Sequence, residues 1–195
     1  MNAKVILGII SFILVMVMVN GCNTYNSLNI KNENVNATWK NVEVVYQRRA
    51  DLIPNLVEVV KGYANFEKST LEAVISARAS ATQIKIDPSK LDDESMKKFM
   101  DAQSAVGTSL GRLLVVSENY PDLKANQNFL DLQAQLEGTE NRIAEERRNF
   151  NDVVKDLNTD IVTFPRNIWA GIFGIHKRIY FEADPGSEKA PKVKF

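Results

Sequence analysis

Val35, Trp39, Val42, Tyr46, Arg49, Ile53, Leu56, Val60 and Tyr63 follow one another in alternating steps of four and three. The result is a seam with a mean period of about 3.5 residues, the mark of a long helix packed lengthwise against others. The stripe runs on less regularly through Leu71, Val74 and Ile75 to Ala81. Pro54 falls inside it. Proline removes one internal hydrogen bond and crowds the preceding turn, so the pattern predicts either a kink or two helices abutting at Ile53-Pro54.

Asp87-Pro88-Ser89 is the first clear break. Asp92, Asp93 and Glu94 then put acidic groups where a helix dipole favours them. Met96, Phe99, Met100, Val106, Leu110, Leu113, Leu114 and Ser117 mark the buried face of the helix that follows. Gly107 and Gly111 lie four apart on that helix and predict close packing against a neighbour. Asn119-Tyr120-Pro121-Asp122 is the second break. Beyond it, Phe129, Leu136, Ile143, Phe150, Leu157 and Phe164 recur every seven residues, and Leu132, Val153, Val154 and Ile161 widen the line into a core-facing stripe. Phe164-Pro165 ends it. Asn167 to Ile175 is apolar and short, and reads as a brief helix or turn over one end of a bundle. Strand signals are nearly absent. The expected fold is all-α: an up-and-down, four-helix-bundle-like domain of long antiparallel helices over residues 23–181. Residues 182–195 lack an apolar face and read as a loose tail.

The N-terminus follows a different pattern. After Lys4, the stretch Val5–Val19 is apolar except for Gly8 and Ser11, and it leads into Val19-Asn20-Gly21-Cys22. A basic end, an apolar core and a small residue before a cut form the layout of a secretory signal. Val-Asn-Gly-Cys is also similar to a bacterial lipobox, although Asn20 stands where a small residue is usual. Residues 1–22 therefore read as a signal peptide with Cys22 as the lipid-attachment residue, or else as a retained transmembrane anchor. Lys4 is the only basic residue before the span, which keeps the N-terminus cytoplasmic and puts the domain outside. A truncated chain starting near Asn29 should be soluble and helical.

Composition adds exclusions. Lysine plus arginine and aspartate plus glutamate both number 24, so no basic excess points to nucleic acid. A single cysteine allows no internal disulfide. The only histidine, His176, cannot complete a zinc set, and no nucleophilic triad or glycine-rich phosphate loop is present. Glu140, Glu145 and Glu146 are the densest carboxylates, and read best as a solvated face with helical ion pairs. No catalytic residue, metal or cofactor is expected.

Charges inside the apolar stripes are harder to dismiss. Arg49 and Glu67 interrupt the first, and Arg78 follows eleven residues after Glu67, close to the same face. Thr139, Glu140, Glu146 and Arg147 stand where apolar residues would complete the last stripe. Charge in a core costs several kcal/mol unless paired. Arg49, Glu67, Arg78, Glu140 and Arg147 are therefore expected to meet in a buried polar layer. Such a layer would select helix register, or line a cavity for a ligand.

Longer motifs carry a resemblance. Arg48-Arg49-Ala50-Asp51-Leu52-Ile53-Pro54-Asn55-Leu56-Val57, with Lys61, Tyr63-Ala64 and Glu67, resembles the signature of the bacterial LemA family. Tyr120 to Ala125 with Asn128-Phe129 resembles its second signature. Glu140 to Ile143, Arg147 or Arg148, Asn151, Asn158 and Phe164-Pro165 resemble its third. Tyr25-Asn26 and Tyr180-Phe181 also fit. Phe66, Phe150 and Leu157 depart from it, standing where histidine or tyrosine is usual in the family. The resemblance implies a membrane-attached helical bundle and no particular reaction. Taken together, the sequence predicts a non-enzymatic scaffold or interaction module at the bacterial membrane, with other envelope proteins as partners. A lipoprotein holding a small molecule or lipid in a bundle pocket is the alternative, and an envelope hydrolase the weakest one. A dry core would favour the scaffold, and a pocket of several hundred Å³ the binder.

Overall fold

A computed structural model describes residues 3–63 and 67–182. It is the all-α bundle expected, with no strand among the described residues: α1 (Ala3–Lys61), α2 (Lys68–Gln83), α3 (Asp93–Ser117), α4 (Pro121–Lys124), α5 (Gln127–Val162) and α6 (Arg166–Phe173). A short 3-10 turn at Pro88–Lys90 precedes α3. Except for Glu182, the tail expected at 182–195 lies outside the described residues.

The seam from Val35 to Val60 is buried along its whole length, Arg49 included. Its continuation to Ala81 is not one helix. The chain leaves α1 after Lys61 and returns as α2, where Leu71, Val74 and Ala81 are buried and Ile75 is exposed. Pro54 does not split α1, which runs unbroken for 59 residues. Proline at 54 offers no N–H to the carbonyl of Ala50, one turn earlier. The Arg78 guanidinium supplies the donor instead: its Nε donates to the Ala50 oxygen at 2.7 Å. Arg78→Leu should leave the carbonyl without a donor and cost about 1–3 kcal/mol. In a Pro54→Ala background the cost should shrink, because alanine brings an N–H of its own. Additive losses in urea unfolding of the double variant would show that Arg78 does not serve this carbonyl.

Local chemistry ends the other helices. Asp92 caps α3 by accepting from the Ser95 backbone N–H at 2.8 Å, and Ser95 Oγ accepts from Asp92 N–H at 3.1 Å. These bonds hold the Asp92 carboxyl below its ordinary pKa. The cap is therefore fully formed above about pH 4 and is lost as pH falls through the lower folded value. Asn126 caps α5 by accepting from Phe129 N–H at 3.1 Å, and its Nδ2 donates to the Tyr63 hydroxyl at 2.8 Å. That second bond ties the start of α5 to the end of α1.

The part of α1 from about Leu28 onward lies antiparallel to α5, and α2 packs on α3. Three contacts fix the α1–α5 register: Lys31 with Asp160 at 2.9 Å, Arg49 with Glu140 at 2.7 Å, and Tyr63 with Asn126 at 2.8 Å. The heptad residues Phe129, Leu136, Ile143, Phe150 and Leu157 are all buried. Phe164 is not. It lies beyond the end of α5, off the helical face, and is 75 % exposed.

The core forms two blocks. The one nearer the apolar N-terminus holds Trp39, Tyr46, Phe99, Phe150, Leu157 and Phe181. The far one holds Ile53, Leu56, Leu113, Leu123 and Phe129. The near block is closed by the C-terminal segment, bound along α5 by two asparagines. Asn158 accepts from Arg178 N–H and donates to its carbonyl, both at 2.8 Å. Asn151 does the same for Phe181, at 2.8 and 3.0 Å. Seven helical residues rise about 10 Å, and three extended residues span about 10 Å. The two spacings match, so each amide meets one backbone unit.

Leu28 is fully buried and Tyr25 packs edge-on against Phe173, with ring centroids 4.8 Å apart. A chain starting at Asn29 would lose both. We expect a chain starting at Gly21 to be soluble, helical and more stable than one starting at Asn29, by about 1.5–3 kcal/mol from Leu28 alone. Equal unfolding midpoints would show that this stretch does not support the bundle.

Candidate functional site

Arg49 is 4 % exposed and sits between the two core blocks. Its Nη1 donates to Glu140 Oε1 of α5 at 2.7 Å. Its Nη2 donates to Gln103 of α3, to the side-chain Oε1 at 2.6 Å and the backbone carbonyl at 3.0 Å. The guanidinium carbon lies 5.1 Å from the Tyr46 ring centre. One side chain thus ties three helices together. A cleft opens on each side of it. The larger, about 530 Å³, lies towards α2 and is lined in part by Lys40, Glu43, Arg49, Arg78, Lys85 and Gln103. The smaller, about 360 Å³, lies towards α5 and includes Ser104, Gly107, Thr108, Glu140 and Arg147. Of the four cationic side chains in the larger cleft, Lys40 pairs with Glu43 at 2.7 Å and Arg49 with Glu140, so Arg78 and Lys85 supply the positive charge that suits an anionic group.

Of the five residues expected in one layer, the fold unites two, Arg49 and Glu140. Glu140 is only half-buried, its side chain 47 % exposed. Arg78 lines the same cleft but is spent on Ala50. Arg147 lines the smaller cleft, donates to the Glu182 carbonyl at 2.7 Å and lies 5.2 Å over the Phe181 ring. Glu67 is elsewhere: exposed at the start of α2, it accepts from Ser69 Oγ at 2.8 Å and lies 3.4 Å from Arg112. The hydrogen bond from Ser69, and the Arg112 charge, hold its carboxyl below the ordinary value. Glu146 is buried and pairs with Arg142 at 3.1 Å.

Gln103 lies outside the expected set, yet its signal is present in the sequence. Phe99, Gln103, Val106, Leu110 and Leu113 repeat the steps of four and three, with glutamine in an apolar slot. Gly107 and Gly111 do not provide close packing. A Cβ at either would meet nothing within 4 Å, because that side of α3 borders open space. His176 is exposed. Among the described residues no group of three or more His, Cys, Asp or Glu side chains could hold a metal ion.

The other feature is the N-terminal helix. The apolar part of α1 is long and apolar enough to cross a membrane, and it is almost wholly exposed. Cys22 is exposed on the same helix. Its neighbour Gly21 is small for a packing reason besides any cleavage: a Cβ there would come within 2.8 Å of the Trp169 ring.

The fold and these features define a helical bundle on an apolar N-terminal helix, associated with a membrane. The chain belongs to the LemA family, which it matches over residues 38–195. It is 28 % identical to Magnetosome protein MamQ 1 of Paramagnetospirillum magneticum, over 94 % of this chain and 72 % of that one. It is 27 % identical to Magnetosome protein MamQ of Magnetospirillum gryphiswaldense, over 96 % and 74 %. Protein LemA of Metamycoplasma hominis is 25 % identical, over 73 % of this chain and 61 % of its own.

Proposed function

We propose that the chain is a membrane-anchored interaction module of the bacterial envelope, outside the cytoplasm, that offers its bundle to other envelope proteins. The carrying observation is α1 itself. It runs without interruption from the apolar stretch to the far end of the bundle. The part beyond Cys22 is about 60 Å long at 1.5 Å per residue. A bundle mounted this way is held at a set height and orientation. Attachment by lipid at Cys22 would keep the same bundle at the same surface. The reading assigns no catalytic step.

A photocrosslinking residue at Thr108, in the smaller cleft, should give a defined protein adduct in native membranes. The same residue at Lys97, exposed and outside both clefts, should not. Identical adduct patterns at the two positions would overturn the assignment of a partner site. A second reading has its own observation. The cationic cleft of about 530 Å³ is large enough for a small anionic ligand. Native mass spectrometry of protein released in mild detergent would then show an added mass that Arg49→Met abolishes, with no adduct at Thr108.

A further inference from the structure

α6 has an apolar face that the bundle does not use. From Asn167 to Ile175 the chain carries no charge. One side of α6 is docked: Ala170 is buried, the Trp169 ring covers Gly21, and Phe173 meets Tyr25. On another side Ile168 and Ile172, four apart, are 51 % and 64 % exposed, and Phe164, in the turn before α6, is 75 % exposed. Val162 beside them is exposed too. Past Arg166, which pairs with Asp160, α6 is apolar on more than one side, and such a helix is ordinarily buried. This one is buried on one side only, and its place explains why. Trp169 touches α1 at Gly21, two residues after the apolar stretch ends at Val19. The exposed stripe therefore begins where the exposed span leaves off.

We propose that α6 and the turn before it form a second membrane contact, a foot whose Phe164, Ile168 and Ile172 side chains enter the bilayer that holds the N-terminus. The occupant of this face is lipid. Continuity with the span is the first argument. The second is the pair of amphipathic side chains at the same level: Trp169, against Gly21, and Tyr25, one turn further on, are the aromatic types that settle at a bilayer interface. Exposed Lys177 follows α6 and suits the negatively charged headgroup layer. The foot does not depend on how the chain is anchored. Acyl chains on Cys22 would enter the bilayer beside Gly21 just as the span does. With two contacts from separate parts of the chain, the bundle cannot swing about a single helix.

The proposal rests on the reading of the N-terminus as a membrane anchor, and the test, made with the span retained, separates the two claims. Full-length protein with Cys22→Ser keeps its span and frees the chain of other thiols. Single cysteines at Phe164, Ile168 and Ile172 would carry a nitroxide in phosphatidylcholine–phosphatidylglycerol vesicles. Leu14→Cys in the span and Val115→Cys, an exposed apolar position on α3, are the references. Collision with oxygen, which concentrates in hydrocarbon, is compared with collision with a polar nickel chelate, which is kept out of it. The three foot labels should resemble Leu14, with an oxygen-to-nickel ratio severalfold above that at Val115. A Leu14 label in lipid with the foot labels like Val115 would overturn the foot and leave the anchor standing. Foot labels reached by neither reagent would mean that a second protein copy covers the face, which also overturns it. A Leu14 label in water would remove the anchor and the foot together. All three foot positions are exposed, so the substitutions leave the core untouched.

Discussion

Phe181→Ala is expected to destabilise the bundle by about 3–5 kcal/mol, the usual cost of emptying a buried phenylalanine site. Phe181 lies in no helix, yet it is among the most enclosed aromatics of the fold. Its ring stacks on Trp39 with centroids 5.7 Å apart and planes 10° from parallel, and it meets Phe150 edge-on at 5.3 Å. Removing it opens the indole of Trp39 to water and loosens the segment that Asn151 and Asn158 hold. Asn151→Ala should cost less, about 1–3 kcal/mol, because it leaves one backbone N–H and one carbonyl without partners. Urea unfolding of a chain starting at Gly21 measures both, and Trp39 fluorescence should shift to the red in the native baseline of Phe181→Ala. A midpoint for Phe181→Ala within about 0.5 kcal/mol of that for a surface change such as Lys97→Ala would show that the C-terminal segment lies on the bundle without closing it.

Substitutions at the Arg49 junction carry the second large effect, and its two ends should behave differently. Glu140→Ala removes the carboxylate that pairs with the buried Arg49 guanidinium. A fully buried charge left alone costs about 3–5 kcal/mol, and an exposed pair is worth about 0–1 kcal/mol. Glu140 is half in water, so about 2–3 kcal/mol is expected. Arg49→Met keeps much of the packing and leaves a carboxylate that water can reach, so about 1 kcal/mol is expected. The double variant should fall well short of additive loss, because its second change removes the charge that the first left stranded. Losses no larger than that of Lys97→Ala throughout would mean that the junction is solvated. If Arg49→Met folds well and loses the Thr108 adduct, the junction belongs to the recognition surface.

Much of the fold is legible in spacing alone. The α1 seam, the α5 heptads and the start of α3 at its acidic cluster all follow from local periodicity and capping, which depend on residues a few positions apart. The illegible part depends on residues far apart in the chain. Nothing near Pro54 announces that Arg78 supplies its missing donor. Nothing near Tyr180-Phe181 announces an aromatic plug, since a short apolar pair outside any periodic stripe has no face to assign. Glu67 continues the spacing of α1 and so falls into the expected polar layer. That spacing has no meaning beyond Lys61, where α1 ends and the chain changes direction.

A helical bundle on an apolar N-terminal segment, with charge interrupting its core-facing stripes, follows from the residues read in order. Those properties lie in the order of apolar, polar and breaking residues, and any packing of such helices would keep them. Tertiary structure alone decided which charges meet. A buried arginine must find acceptors wherever the antiparallel register places them, and here that register brings Glu140 and Gln103 to Arg49 and sends Glu67 to the far end. It also decided that the glycines of α3 border open space, and that α6 keeps one apolar face uncovered beside the span. Both follow from how much surface each neighbouring helix can reach, a quantity set by the helices together.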